Sequence, residues 1–222
     1  MLKRRHLFGG FLIFVMIVII AIIHYFEINP FRDPRIYDPW ESTYLNELEV
    51  GDIVFRTAYG KESRMIQLVS GGDYSHIAVI TEVSPEIKVT HATTNDHPDK
   101  LNQVLLTPIT EFLSPTFAKT YLIARPDFLD SMAKTLFAKE VAQKIGEPYV
   151  LTSRSLENLY CTTLLEVPLR SLVPELTLKW QALQVPGMPG DYLFPDAFLD
   201  IAGMRQILKD DVWLPTLNPV VE

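Results

Sequence analysis

The sequence predicts an α+β domain, an antiparallel sheet packed with helices, preceded by one N-terminal transmembrane helix. Three observations carry this. Two β-runs flank a proline turn, two helix-periodic segments each stop at glycine, and a twenty-residue apolar run lies near the N-terminus. The 222 residues suit one domain with short appendages.

Lys3, Arg4 and Arg5 precede the apolar run from Leu7 to Phe26. At about 1.5 Å per residue this run covers roughly 30 Å, the hydrocarbon thickness of a bilayer. His24-Tyr25-Phe26 offers no small-residue cleavage site, so the run reads as an uncleaved signal anchor rather than a cleaved signal. The basic cluster places the N-terminus in the cytoplasm and the remainder outside. Residues 1–27 are then tail and anchor, 28–45 a proline-bearing spacer, and 46–222 the folded domain.

Within that domain Gly51-Asp52 introduces the short β-run Ile53-Val54-Phe55. Lys61 to Ser70 carries Met65, Ile66, Leu68 and Val69 at helical spacing and stops at Gly71-Gly72. Ser75–Val83 and Ile87–Ala92 flank Ser84-Pro85-Glu86, the pattern of a β-hairpin. Tyr121–Ala124 is a further strand. Asp130 is placed to cap a helix from Ser131 to Ile145, closed by Gly146. Pro168 limits any helix that follows Tyr160-Cys161. The last forty residues read as irregular apart from a helix from about Ala197 to Leu208.

A net charge of −7 argues against a nucleic-acid partner, and no phosphate-binding glycine motif is present. Beyond the anchor, 17 basic residues face 27 acidic ones, a net charge of −10. One cysteine excludes an internal disulfide and a Cys-rich metal site. No cofactor or metal is expected. Asp96-His97-Pro98-Asp99 holds metal-type side chains, but adjacent residues before a proline rarely converge on one ion.

Cys161 is the candidate nucleophile. It sits at what reads as a helix N-terminus, where the dipole lowers a thiol pKa and free N–H groups can receive an oxyanion. Its own N–H and a second donor such as Tyr160 would form that oxyanion site. His76, at the mouth of its strand after Gly72-Asp73-Tyr74-Ser75, is the candidate base. Glu82 shares its face but lies about 20 Å along the same strand, which excludes it as the orienting group. The returning strand offers His91, with Asn95 behind it.

These residues meet a family. Leu48–Phe55, Met65–Val69, Tyr74–Val79, Gly146–Tyr149, Tyr160-Cys161-Thr162 and Phe194–Leu199 resemble, in order, the circularly permuted branch of the NlpC-like, papain-fold cysteine hydrolases, the YiiX/YebB-like group. The resemblance implies a permuted papain-like domain with His76 as base, Cys161 as nucleophile and the third polar residue on or near His91. The His–His–Cys set is also similar to the lecithin–retinol acyltransferase type. Thr162-Thr163 departs from the Ser-Glu that commonly follows the cysteine in this branch.

The resulting expectation is a thiol hydrolase of the amidase or peptidase type, anchored in a bacterial inner membrane with its catalytic domain periplasmic or extracellular. Its substrate would be a peptide, a peptidoglycan-derived amide or a lipid-linked acyl group. A lipid acyltransferase or lipid-ester hydrolase of the same fold, and a non-catalytic envelope binding module, stand as the alternatives.

Overall fold

Alternation along β1 (Ile53–Ala58) sorts the interior into two layers. Successive strand residues face opposite sides of a sheet. Ile53 and Phe55 therefore enter one apolar cluster, and Val54 enters the other. A computed structural model describes residues 39–185 and 187–214. The chain separates into two units, residues 1–36 and 37–222; the fold that follows belongs to the second.

β1 pairs with β2 (His76–Glu82) on one side and β5 (Ala118–Pro126) on the other. β2 continues to β3 (Lys88–Thr93) and β4 (Gln103–Pro108), while β5 continues to β8 (Met204–Lys209) and β9 (Val212–Trp213). Every pairing is antiparallel, and the sheet is open, in the order β4-β3-β2-β1-β5-β8-β9. β6 (Gln181–Val185) and β7 (Met188–Tyr192) form a separate hairpin.

The helices are α1 (Lys61–Ser70), the single-turn α2 (Ile109–Phe112), α3 (Ser131–Ala142) and α4 (Cys161–Leu172). α3 gives Phe137 and Val141, and α4 gives Leu164, Leu165 and Leu169, to the cluster of Ile53, Phe55, Ile77 and Val79. Each such side chain, buried fully, contributes roughly 1.5–3 kcal/mol. The opposite face carries Val54, Ala78, Ile80 and Ile123, covered by Trp40, Leu48, Phe112 and Leu113.

Several expected elements form where local chemistry places them. α1 ends at Gly71, whose φ of 70° is the left-handed conformation of a helix stop. Asp130 caps α3 by accepting from the Ala133 N–H at 2.8 Å. The hairpin of β2 and β3 forms as its pattern predicts.

Others are corrected. α4 runs four residues past Pro168. An interior proline costs about 3 kcal/mol, and the buried Leu164, Leu165 and Leu169 offset it. The helix expected from Ala197 to Leu208 is a 3-10 turn, Pro195–Phe198, followed by β8. Gly203, at φ 84°, breaks any helix there, and Ile207 and Leu208 are buried as strand residues beside β5. β4, β6 and β7 carry no expectation in the sequence analysis.

The expected membrane topology is also corrected. Among the described residues no helix is long and apolar enough to cross a membrane. The Leu7–Phe26 run and most of the spacer lie outside the described residues. The placement in a bacterial inner membrane is withdrawn.

Candidate metal centre

The sheet face that carries Val54, Ala78 and Ile80 also holds a polar group inside its apolar layer. Arg56 and His76 are direct partners in the β1–β2 register, so their side chains rise from the same face. His91 of β3 stands diagonal to His76, and the His76 Nε2 and His91 Nδ1 atoms are 2.9 Å apart. Asp96 joins them from the loop between β3 and β4. That loop is tied at its base by the Asn102 N–H donating to the Thr94 carbonyl at 2.9 Å. The Asp96 Oδ2 lies 3.7 Å from His91 Nδ1 and pairs with the Arg56 guanidinium.

Phe112 closes the group. Its ring lies 4.9 Å from that of His91 and 5.7 Å from that of His76, centroid to centroid, and Arg56 stacks over it at 4.1 Å. Arg56 Nη1 also donates to the Phe112 carbonyl at 2.7 Å. His91 Nε2 lies 3.0 Å from Thr107 Oγ1 on β4. With the Nε2–H donated to that oxygen, the Nδ1 lone pair faces His76 and Asp96.

Burial sets the charges. His91 is wholly buried, and loss of hydration lowers its pKa to about 4, with Asp96 opposing and Arg56 adding to the fall. His76 is held well below the ordinary histidine value, first by burial and then by Arg56 and His91. Asp96 is held below the usual carboxylate range: burial raises it, and Arg56 and the two histidines overcome that. Two neutral imidazoles and one carboxylate therefore converge at neutral pH.

The turn leading into His76 is clamped from far along the chain. Asp196, on the turn Pro195–Phe198, accepts the Asp73 N–H at 2.8 Å and the Tyr74 N–H at 3.1 Å. Gly72 makes room for this: a Cβ there would stand 2.4 Å from the Asp196 Oδ2.

Cys161 lies elsewhere. It is the first residue of α4 and belongs to the apolar cluster of Ile77, whereas the neighbouring His76 faces Phe112 on the other side. Burial pushes its thiol up to about 12, although N–H groups of Ile77, Thr162 and Cys161 itself pull the other way. The thiol stays protonated at neutral pH. Among the described residues no hydrogen bond joins it to either imidazole. Tyr160 caps the same helix; its N–H donates to Thr163 Oγ1 at 2.9 Å and its hydroxyl accepts from the Leu193 N–H at 3.0 Å. Asn95 meets Thr94 rather than His76 or His91.

His76, His91 and Asp96 each present one donor atom, and these atoms all lie within 4.8 Å of one another. The crystal structure of metalloprotein yiiX from Escherichia coli O157:H7 superposes on this chain with a TM-score of 0.60 at 19% identity, covering 79% of this chain and all of that one. The fold is yiiX-like. No family model and no curated protein matches the sequence.

These findings overturn the cysteine-hydrolase expectation. The fold resembles that of a protein described as a metalloprotein, and the polar group is His–His–Asp. The permuted NlpC-type papain assignment, with its Cys–His–His set, gives way to an open-sheet α+β domain of yiiX type. The cysteine amidase and peptidase activity, and the acyl-transfer and lipid-ester alternatives, are withdrawn with the thiol. So are the peptide, peptidoglycan-derived and lipid-linked acyl substrates and the membrane partner.

The 96–99 segment was not expected to hold a metal, and Asp96 alone of it joins the histidines. The rule applied there concerned neighbours in sequence, whereas Asp96 converges with residues from two strands. Arg56 was missed outright. Its signal was available: an arginine in Ile53-Val54-Phe55-Arg56-Thr57-Ala58 interrupts an apolar strand, and a buried arginine is rare unless paired.

Proposed function

We propose that this domain is a metalloenzyme of hydrolytic type, with His76, His91 and Asp96 holding one divalent transition-metal ion. The convergence of the three donor atoms carries the reading. Two imidazoles and one carboxylate suit zinc, and three protein donors leave a coordination position open, as in hydrolytic sites. Such an ion, when bound, supplies an activated water or a polarised carbonyl.

The side chains fit with small adjustment. Two nitrogen ligands at about 2.05 Å in a tetrahedron stand about 3.3 Å apart. The imidazole nitrogens, 2.9 Å apart, need to separate slightly, the His91–Asp96 gap of 3.7 Å needs to close slightly, and the longer His76–Asp96 gap, within 4.8 Å, needs to close further. Burial already holds both imidazoles neutral, and Arg56 holds Asp96 ionised against burial, the states in which they donate lone pairs. Thr107 Oγ1, 3.0 Å from His91 Nε2, is placed to accept the Nε2–H when Nδ1 ligates. His76 moves its proton from Nε2 to Nδ1, and Arg56 releases Asp96. The likeness to a structure described as a metalloprotein supports the same reading.

Calorimetric titration of chelator-treated protein with zinc tests it. One ion per chain is expected, with binding lost in His91→Ala. Equal zinc content in the wild type and a correctly folded His76→Ala/His91→Ala variant would refute it.

A further inference from the structure

Arg56 is more than a partner for Asp96. Its guanidinium is buried and fixed on three sides: Nη1 donates to the Phe112 carbonyl, Nη2 to Asp96, and its plane lies over the Phe112 ring. Its Nε is buried and has no hydrogen-bond partner among the described residues. Nε and Nη2 share one edge of the planar group, the edge that binds a carboxylate or phosphate through two parallel bonds. Asp96 uses half of that edge, and the other half is unfilled.

Charge gives the second argument. Arg56 and Asp96 cancel, and an imidazole meets a metal as a neutral ligand, so the group brings no net charge to an ion. A divalent ion would leave it with two positive charges at a largely buried site. Glu111, part-exposed and within the field of Asp96 and Arg56, supplies at most one compensating charge. A buried excess of positive charge calls for an anion.

We propose that Arg56 is an oxyanion seat: when Asp96 turns to a metal ion, the Nε–Nη2 edge receives a carboxylate or phosphate group of the substrate. This deepens the metalloenzyme reading by making the substrate anionic, and it assigns Arg56 to binding.

The metal-free Asp96→Asn protein tests the seat without any ion, because the substitution removes the carboxylate charge that competes for the guanidinium edge and leaves only a weaker neutral acceptor. Acetate and inorganic phosphate are titrated against chloride at constant ionic strength, followed by thermal unfolding and calorimetry. Asp96→Asn is expected to bind at least one of the two about tenfold more tightly than metal-free wild type, and Asp96→Asn/Arg56→Lys to lose that gain. A response to acetate alone identifies the carboxylate as the preferred group, and to phosphate alone the phosphate. No gain over wild type, or an equal gain in the double variant, would overturn the proposal. If Asp96→Asn does not fold, zinc-loaded wild type and Arg56→Lys are compared with the same anions. There the expected result is about tenfold weaker binding in Arg56→Lys, and equal binding overturns the seat. Zinc binding without anion capture refutes the seat alone; anion capture by Asp96→Asn without zinc binding to wild type refutes the metal reading alone.

Discussion

Acidification between about pH 7.5 and 5 should destabilise the metal-free protein, and His91 should account for much of the loss. An unfolded histidine titrates near 6.5, whereas His91 in the fold titrates near 4 because burial disfavours its cation. A folded pKa lowered in this way contributes stability that is complete above the unfolded value and is lost as pH falls toward the folded one. At pH 5 the unfolded chain is largely protonated at this position and the native chain is not, a difference worth about 2 kcal/mol. His76 is shifted in the same direction and adds to the slope. Asp96, lowered from 3.8, loses its contribution only below that window. Asp52, raised by burial against the pull of Arg125, works in the opposite sense, so the quantity to read is the difference between wild type and His91→Gln. Urea unfolding at several pH values, with chelator present, gives it. His91→Gln should lose about 2 kcal/mol less than wild type over this range. Parallel loss in the two proteins would refute the burial argument.

Other outcomes follow from the same geometry. Thr107→Val should weaken zinc binding about 10–100-fold by calorimetry, and Thr107→Ser should recover most of it, because the hydroxyl holds the His91 tautomer. Cys161 should react slowly with iodoacetamide at neutral pH until the protein is unfolded, and Cys161→Ala should retain one zinc per chain by metal analysis. Gly72→Ala should lower stability by about 1–3 kcal/mol in denaturant titration, since the added methyl meets the Asp196 carboxylate.

The local part of the fold was legible because local chemistry decides it. Gly71, Asp130 and the Ser84-Pro85-Glu86 turn act on residues beside them, and α1, α3 and the β2–β3 hairpin appear accordingly. The end of the chain was not legible, because Met204–Lys209 takes its conformation from pairing with β5, some eighty residues earlier. The site divides in the same way. His76 and His91 were brought together by hairpin reasoning alone, and they do bond. Cys161 was joined to them by its residue type and by family likeness, while the strand alternation that sends His76 and Ile77 to opposite faces was left unused. Asp96 and Arg56 reach the histidines through a loop conformation and a β1–β2 register that no spacing rule supplies.

The Asp196 clamp carries a consequence for the chain during synthesis. Strands β1 to β4 follow one another in the chain, each pairing with the next, and can pair while later segments are still being made. The turn that delivers His76 is nevertheless fastened by a carboxylate more than a hundred residues downstream. A nascent chain halted before residue 196 would hold both histidines, Arg56 and Asp96, yet lack the fastening that sets the first histidine. Competence to take up an ion should therefore arrive only after residue 196 has emerged, and not when the ligands themselves do.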